Sequence, residues 1–231
     1  MNVRMGLIRK KADWTFEDFN AYWKNKHAAL AARAPKLREY WQNPVVDRVQ
    51  RGIDFARGPW DFDGFSQLSF DDSKQADRAF GDGDLAAALI EDERHFLGGL
   101  HIVTAEQSVV IPLPGEDERA RLLKRMSIIR RLPASSEEDF RREWRVHGEL
   151  VRRMPGVSAY RQNAVIARER EKGQPCDHEA LPIDGIVELW FEDAQSLQQA
   201  FASPAGQATM AHARTFLGDI TAFLVDERRI V

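Results

Sequence analysis

The stretch EDFNAYWKNKH, residues 17–27, has a second copy in the chain, EDFRREWRVH at residues 138–147. In both copies a proline follows the histidine by eight residues and a tyrosine follows it by thirteen. Because the repeat period is close to half of the chain, the sequence predicts two similar domains of about 115 residues each. The histidine that ends each copy is the first candidate for chemistry.

Composition is that of an ordinary globular protein. Hydrophobic residues make up 43% and charged residues 30% of the 231 residues, and the formal net charge is −3. No overall positive field is available to attract nucleic acid. The single cysteine, Cys176, excludes an intrachain disulfide and suits a reducing compartment. The first residues carry no apolar signal core, and no apolar run reaches about 18 residues, so we expect a cytoplasmic protein without a membrane span.

Hydrophobic patterning gives the same order of elements in both halves. In the first half it predicts strands at residues 5–8, 37–49, 65–70 and near 102–111, and helices at 15–35, 72–80 and 85–97. The order restarts at Met126, and the last helical stretch is broken at Ser203 and Pro204. The proline- and charge-rich segment 114–121 is predicted to link domains 1–113 and 122–231.

Each half is therefore predicted to be β-α-β-β-α-β, the ferredoxin-like unit. Such a sheet carries helices on one face only, and its other, apolar face must be covered. We expect the two halves to pack bare face on bare face and to close an α+β barrel within one chain, as a pseudo-dimer.

These motifs resemble the EthD family of dimeric α+β-barrel proteins. The resemblance rests on Phe-x3-Trp with a helix histidine, then Pro and Tyr-x-Gln-Asn, on Asp-Gly before the third strand, and on Phe-Leu-Gly near the end of each half. The second half also has Phe-Ala-Ser-Pro at 201–204. The copies differ in one place, because Trp144 to His147 is one residue shorter than Trp23 to His27.

The resemblance implies chemistry less firmly than fold. Proteins that look like this include muconolactone-type isomerases, cofactor-free polyketide cyclases and dehydratases, and small monooxygenases, and haem-binding enzymes use the same barrel. In the related methylmuconolactone isomerases, a helix histidine and a strand tyrosine line a pocket between sheet and helices. The resemblance thus implies two such pairs here, His27 with Tyr40 and His147 with Tyr160.

The residues themselves support the same four catalytic candidates. His27 and His147 lie in the apolar stripes of their helices, where leucine would pack at lower cost, and imidazole exchanges protons near neutral pH. Tyr40 and Tyr160 are predicted to donate a hydrogen bond to an oxygen on which charge develops. The alternative for all four is ordinary packing in the core.

Further substrate contacts are predicted from tryptophan, asparagine and aspartate side chains that recur in both halves or lie on a predicted strand. They are Trp23, Trp144, Trp190, Asn43, Asn163, Asp63 and Asp184. Core packing, strand-end amides and Asp-Gly turns explain these residues equally well. No metal site is predicted, because Cys176 and His178 have no second ligand cluster.

The sequence thus predicts a cofactor-independent lyase or isomerase that acts on a small carbonyl or polyketide-like compound by histidine acid/base catalysis. Dehydration, cyclisation and lactone or enone isomerisation all stay open, as does the choice of active half. One alternative is a cofactor-free monooxygenase or haem-binding oxidoreductase. Another is a non-enzymatic small-molecule-binding protein of a catabolic pathway. The expected partner is a small substrate, with neither nucleic acid nor membrane, and further pairing into a homodimer is left open.

Overall fold

Both halves have the predicted order of strands and helices. The computed structural model describes residues 2–71, 80 and 83–231, so most of the helix predicted at 72–80 lies outside the described residues. The long strands are β1 (Asn2–Lys10), β2 (Glu39–Asp47), β3 (Gly64–Ser69), β4 (Leu97–Ile111), β5 (Leu123–Arg131), β6 (Val157–Glu171), β8 (Gly185–Phe191) and β9 (Leu217–Val225), with two-residue strands β7 (Gln174–Pro175) and β10 (Arg228–Arg229). The helices are α1 (Phe16–Tyr22), a π-helical turn (Trp23–His27) that leads into α2 (Ala28–Ala31), α3 (Asp84–Phe96), α4 (Glu116–Arg119), α5 (Glu137–Val151), α6 (Ala194–Ala202) and α7 (Pro204–Ala213).

The eight long strands form one closed antiparallel ring. The strand order is β2-β3-β1-β4 in the first half and β6-β8-β5-β9 in the second, which is the ferredoxin-like order in each. Strand β4 then pairs with β6 over most of its length, and β9 pairs with β2 at Val45 and Asp47, so the sheet closes on itself. The predicted fold, two tandem ferredoxin-like halves joined into an α+β barrel, is confirmed.

The alternation of side chains along each strand separates the interior of the ring from its outer face. On β5, Met126 and Ile128 belong to a buried apolar cluster that includes Phe65 and Phe223 from both halves. The intervening residues of β5 face outward toward the helices of the second half. Any space between helix and sheet is therefore lined by the outward-facing strand residues.

A buried polar network fills one end of the ring interior. Lys124 Nζ lies 2.6 Å from a carboxylate oxygen of Glu188 and 2.6 Å from one of Glu227. Arg119 of α4 binds both oxygens of Glu227 at 2.6 Å, and its guanidinium stacks 3.9 Å from the centre of the Trp41 ring. The segment 114–121, predicted as a linker, thus also contributes Arg119 to the buried network.

Two predicted boundaries differ from the structure. Strands β4 and β6 are each fifteen residues long, because they pair with each other over most of their length. Strand β6 therefore extends to Glu171, and the chain turns back there into β7. The break at Ser203 is confirmed, since its hydroxyl accepts a hydrogen bond from Gly206 N at 3.0 Å and Pro204 starts α7.

The Asp-Gly pairs have a structural explanation in this fold. A Cβ atom on Gly64 would lie 2.5 Å from Trp23 Cζ3, and one on Gly185 would lie 2.5 Å from Trp144 Cζ3, so each tryptophan ring needs a glycine beneath it. The preceding aspartate accepts a backbone hydrogen bond from the neighbouring strand. None of the described helices has the length and apolarity that a membrane crossing requires.

Replacing Gly185 with alanine should destabilise the protein, because the new methyl group overlaps the Trp144 ring. We expect a loss of about 1–3 kcal/mol in the free energy of unfolding, measured by urea denaturation. Gly115→Ala is the matched control, since nothing lies within 4 Å of a Cβ at that position. Equal stability of the Gly185→Ala protein and the wild type would show that the tryptophan does not depend on the glycine.

Candidate active site

Each half has a cavity between its helices and the outer face of the sheet. Both cavities measure about 50 Å³, counted as space for the centre of a water molecule. His27 and Tyr40 line the first cavity, and His147 and Tyr160 line the second. The structure therefore brings together both predicted histidine–tyrosine pairs, one pair in each half.

The π-helical turn explains why the two copies of the motif differ in length. The backbone N–H of Ala28 donates to Trp23 O, a five-residue step where an α-helix has four. The extra residue of the first copy is absorbed in this turn, so Trp23 still packs on Gly64 while His27 still reaches the cavity. The histidines are equivalent in space despite the one-residue difference in sequence.

His27 forms a hydrogen-bonded pair with a carboxylate of α3. Its Nδ1 lies 2.7 Å from Asp92 Oδ2, and the other oxygen of Asp92 accepts a 2.7 Å hydrogen bond from the Tyr22 hydroxyl. Burial alone would raise the pKa of Asp92, but the hydrogen bonds from His27 and Tyr22 outweigh it and lower that pKa below its ordinary value. An ionised Asp92 holds the proton of His27 on Nδ1 and leaves Nε2 as the basic atom.

The second half replaces this carboxylate with a histidine. Asp92 and His212 both lie four residues before the phenylalanine of Phe-Leu-Gly, and both lie 65 residues after the cavity histidine of their half. His147 Nδ1 is 3.4 Å from His212 Nδ1, and the rings stack with their centres 5.6 Å apart. Burial, reinforced by His212, lowers the pKa of His147 to about 3. His147 is therefore a neutral imidazole at physiological pH.

The two cavity tyrosines are hydrogen-bond donors and not bases. Each hydroxyl oxygen accepts a hydrogen bond from a glutamine two residues further on, Gln42 at 2.8 Å and Gln162 at 2.9 Å. Burial raises the pKa of both tyrosines, that of Tyr160 to about 12. The hydroxyl protons are retained at neutral pH, and they have no acceptor among the residues that the structure describes.

The other predicted site residues lie elsewhere, apart from one tryptophan. Trp144 lines the second cavity, whereas the buried Trp23 packs on Gly64. Asn43 and Asn163 bond to Gln67 and Gln107 and belong to the network inside the ring, as does Trp190, whose ring lies 4.8 Å from Lys124 Nζ. The substrate contacts predicted for them stay predictions.

The two aspartates hold the backbone at the start of the third strand of each half. Asp63 accepts from Lys10 N at 2.9 Å, and Asp184 accepts from Arg131 N at 2.8 Å. Asp184 also lies 3.1 Å from His178 Nε2, not near His147. Neither aspartate lines either histidine cavity, and in the first half Asp92 is the carboxylate that contacts the cavity histidine.

Sequence reasoning overlooked Asp92, Tyr22 and Arg125. The signal for Asp92 was present, because aligning the two Phe-Leu-Gly elements places it opposite His212. Such an alignment would have shown that the two halves carry different residues, Asp92 and His212, at this equivalent position. For Tyr22 and Arg125 the sequence carried no comparable signal, since their roles depend on contacts between distant segments.

Comparison with known families shows which family the chain belongs to. A family model described as the EthD domain matches residues 11–99 and residues 132–219. The chain belongs to the EthD family. Both EthD matches run from just before the first helix of a half to its Phe-Leu-Gly element, so the histidine and the tyrosine of each cavity lie inside a matched region.

Individual relatives of this EthD protein have different activities. It is 29% identical over 92 residues to 4-carboxymethyl-4-methylbutenolide mutase of Pseudomonas reinekei, which spans 40% of this chain and 85% of the mutase. Among solved structures, an anthrone oxidase-like protein aligns with a TM-score of 0.66 at 9% identity over 99% of this chain and 93% of its own. A variant of chlorite dismutase from Candidatus Nitrospira defluvii aligns with a TM-score of 0.52 at 12% identity over 97% and 90%. At such identities the two structures show the fold alone.

The neutral state of His147 should make the EthD protein lose stability as the pH falls. The pKa of His147 is about 3 in the folded state against 6.5 for the ordinary side chain, so between these values only the unfolded chain takes up a proton there. Urea denaturation at pH 7 and pH 5 should show that His147→Gln removes about 1–2 kcal/mol of the wild-type loss. The control is His95→Gln, at an exposed histidine. The same acid sensitivity in His147→Gln and wild type would contradict a buried neutral imidazole.

Proposed function

We propose that the protein is a cofactor-independent enzyme that moves a proton on a small carbonyl compound, and that the first half carries the active site. The observation that supports this most is the 2.7 Å contact between His27 and Asp92 at the edge of a cavity shared with Tyr40. A histidine whose tautomer is held by a carboxylate is the arrangement that general acid/base catalysis requires. The mutase relative, whose name specifies a butenolide, supports an isomerase acting on a small lactone.

In the proposed reaction, His27 Nε2 removes a proton from the carbon next to the substrate carbonyl. The electron pair of that C–H bond moves to the carbonyl oxygen, and the Tyr40 hydroxyl donates a hydrogen bond to the resulting enolate. The proton then returns from the imidazolium to a different carbon, which completes an isomerisation. If a leaving group departs from the neighbouring carbon instead, the same steps give an elimination.

The second half is less suited to this chemistry. A base needs a pKa near the working pH, and the pKa of His147 lies well below it. Of the residues that the structure describes, no carboxylate lines the second cavity, whereas Glu93 lines the first and Asp92 contacts its histidine. We therefore assign the acid/base chemistry to the first half, although the second half follows the family sequence pattern more fully.

The haem-binding alternative gains little support from the cavities. A haem site with a histidine ligand needs an open imidazole on one side of a pocket as wide as the porphyrin. The first cavity is far smaller than a porphyrin, and the His147 ring of the second is stacked against His212. The residues present do not fit the group.

Loss of the proposed base should abolish proton transfer. We expect His27→Gln to lower kcat/KM by about 10²–10⁴-fold, and Asp92→Asn to lower it by a smaller factor, because the imidazole loses its orienting carboxylate. The measurement is incorporation of solvent deuterium next to the carbonyl, followed by proton NMR over a panel of butenolides and enones.

Two further variants keep this experiment decisive. His101→Gln makes the same substitution on β4, at a histidine that does not line the first cavity, and controls for general damage to the first half. His147→Gln compares the halves, and we expect it to cost much less activity than His27→Gln. Activity that survives His27→Gln and disappears in His147→Gln would overturn the assignment.

A Tyr40 variant distinguishes stabilisation of the enolate from binding of the substrate. In the Tyr40→Phe protein the ring still packs but the hydrogen-bond donor is gone, so kcat should fall by about 10²-fold with a smaller change in KM. Steady-state kinetics on the best substrate of the panel give both constants. A change confined to KM would show that the hydroxyl acts only in ground-state binding.

A further inference from the structure

Arg125 is a buried cation that the proposed reaction does not use. It lies on β5, is 3% exposed, and lines the second cavity. Its contacts are with neutral groups: Nη1 donates to Arg51 O at 2.7 Å, Nε to Ser127 Oγ at 3.3 Å, and the guanidinium lies 4.8 Å from the centre of the Phe201 ring. Among the described residues no carboxylate forms an ion pair with it.

In the first half, the arginine at the equivalent strand position has its charge neutralised by a carboxylate. Arg4 occupies the equivalent place on β1 and lines the first cavity. Both of its terminal nitrogens bind Glu169, one of them at 3.0 Å, so the charge of Arg4 is compensated by the protein itself. The same strand position thus carries a paired arginine in one half and an unpaired arginine in the other.

The surroundings of Arg125 are mostly apolar. The cavity walls include Val151, Met154 and Leu189, and within the described part of the chain no acidic residue lines them. The polar groups that line it beside Arg125 are Ser127, which accepts from Arg125, the neutral His147 imidazole, the Tyr160 hydroxyl and Thr209, whose own hydroxyl already donates to Ala205 O at 2.8 Å. Burial lowers the pKa of Arg125 to about 10, so the guanidinium still carries its charge at neutral pH. Buried charges are normally paired, which leaves this one in need of an anion.

We propose that the second cavity is a binding site for a small apolar molecule with one carboxylate, whose carboxylate pairs with Arg125. The guanidinium supplies a charged donor at one end, and the apolar walls accept the hydrocarbon part of the ligand. The Tyr160 hydroxyl proton is available to a second ligand oxygen. This site is separate from the His27–Asp92 pair and involves no bond making or breaking.

Benzoate and its neutral analogue benzamide test the proposal by isothermal titration calorimetry on the whole chain. We expect wild-type protein to bind benzoate at least tenfold more tightly than benzamide. Arg125→Met should remove that preference while keeping the affinity for benzamide, and Arg125→Lys should retain part of it. His27→Gln, in the other cavity, should leave both affinities unchanged. A preference for benzoate that survives Arg125→Met, or that His27→Gln abolishes, would overturn the proposal.

The stability of the variants distinguishes a ligand site from a structural arginine. Removing an uncompensated buried charge should leave the unfolding temperature of Arg125→Met equal to or above that of the wild type. Arg4→Met should lower it, because Glu169 loses its partner. A large drop for Arg125→Met alone would mean that the guanidinium serves the fold and not a ligand. If that variant does not fold, the anomalous signal of 4-bromobenzoate in wild-type crystals decides between the second cavity and any other place.

Discussion

The pairing of β4 with β6 and of β9 with β2 is the constraint on which the rest of the structure depends. Each half alone would expose an apolar sheet face and two strand edges, and both are costly in water. Closing the ring buries the faces against each other and satisfies the edges in one step. Helices are then confined to the outer face, and the two histidine cavities lie between helix and sheet.

Closure also explains where polar residues were accommodated. The interior holds Lys124 with Glu188 and Glu227, whose opposite charges compensate one another out of reach of solvent. An isolated charge in that space would be unfavourable, but a closed set of partners is tolerated and ties segments from both halves together. Asn43 and Asn163 belong to this set, which gives their recurrence in the two halves a structural explanation.

On this common frame the two halves have diverged in charge more than in shape. The tryptophan on its glycine, the glutamine between tyrosine and helix, and the cavity histidine occur in both. The partner of the histidine is Asp92 in one half and His212 in the other, and the strand arginine is paired in one half and unpaired in the other. The two cavities therefore share their architecture and differ in electrostatic character, with a histidine–carboxylate pair at one and an unpaired buried arginine at the other.

The sequence by itself determined the repeat, the order of elements and the barrel, because periodicity and apolar faces are properties of local segments. It also placed a histidine and a tyrosine in each cavity, since both lie at fixed spacing within one repeat. Only the tertiary structure decided that Asp92 supports His27, that Arg125 lacks the carboxylate that Arg4 has, and that His147 is neutral. Those properties arise from contacts between residues far apart in the chain and from burial, which sets the energy of a charge and is not encoded in any short stretch.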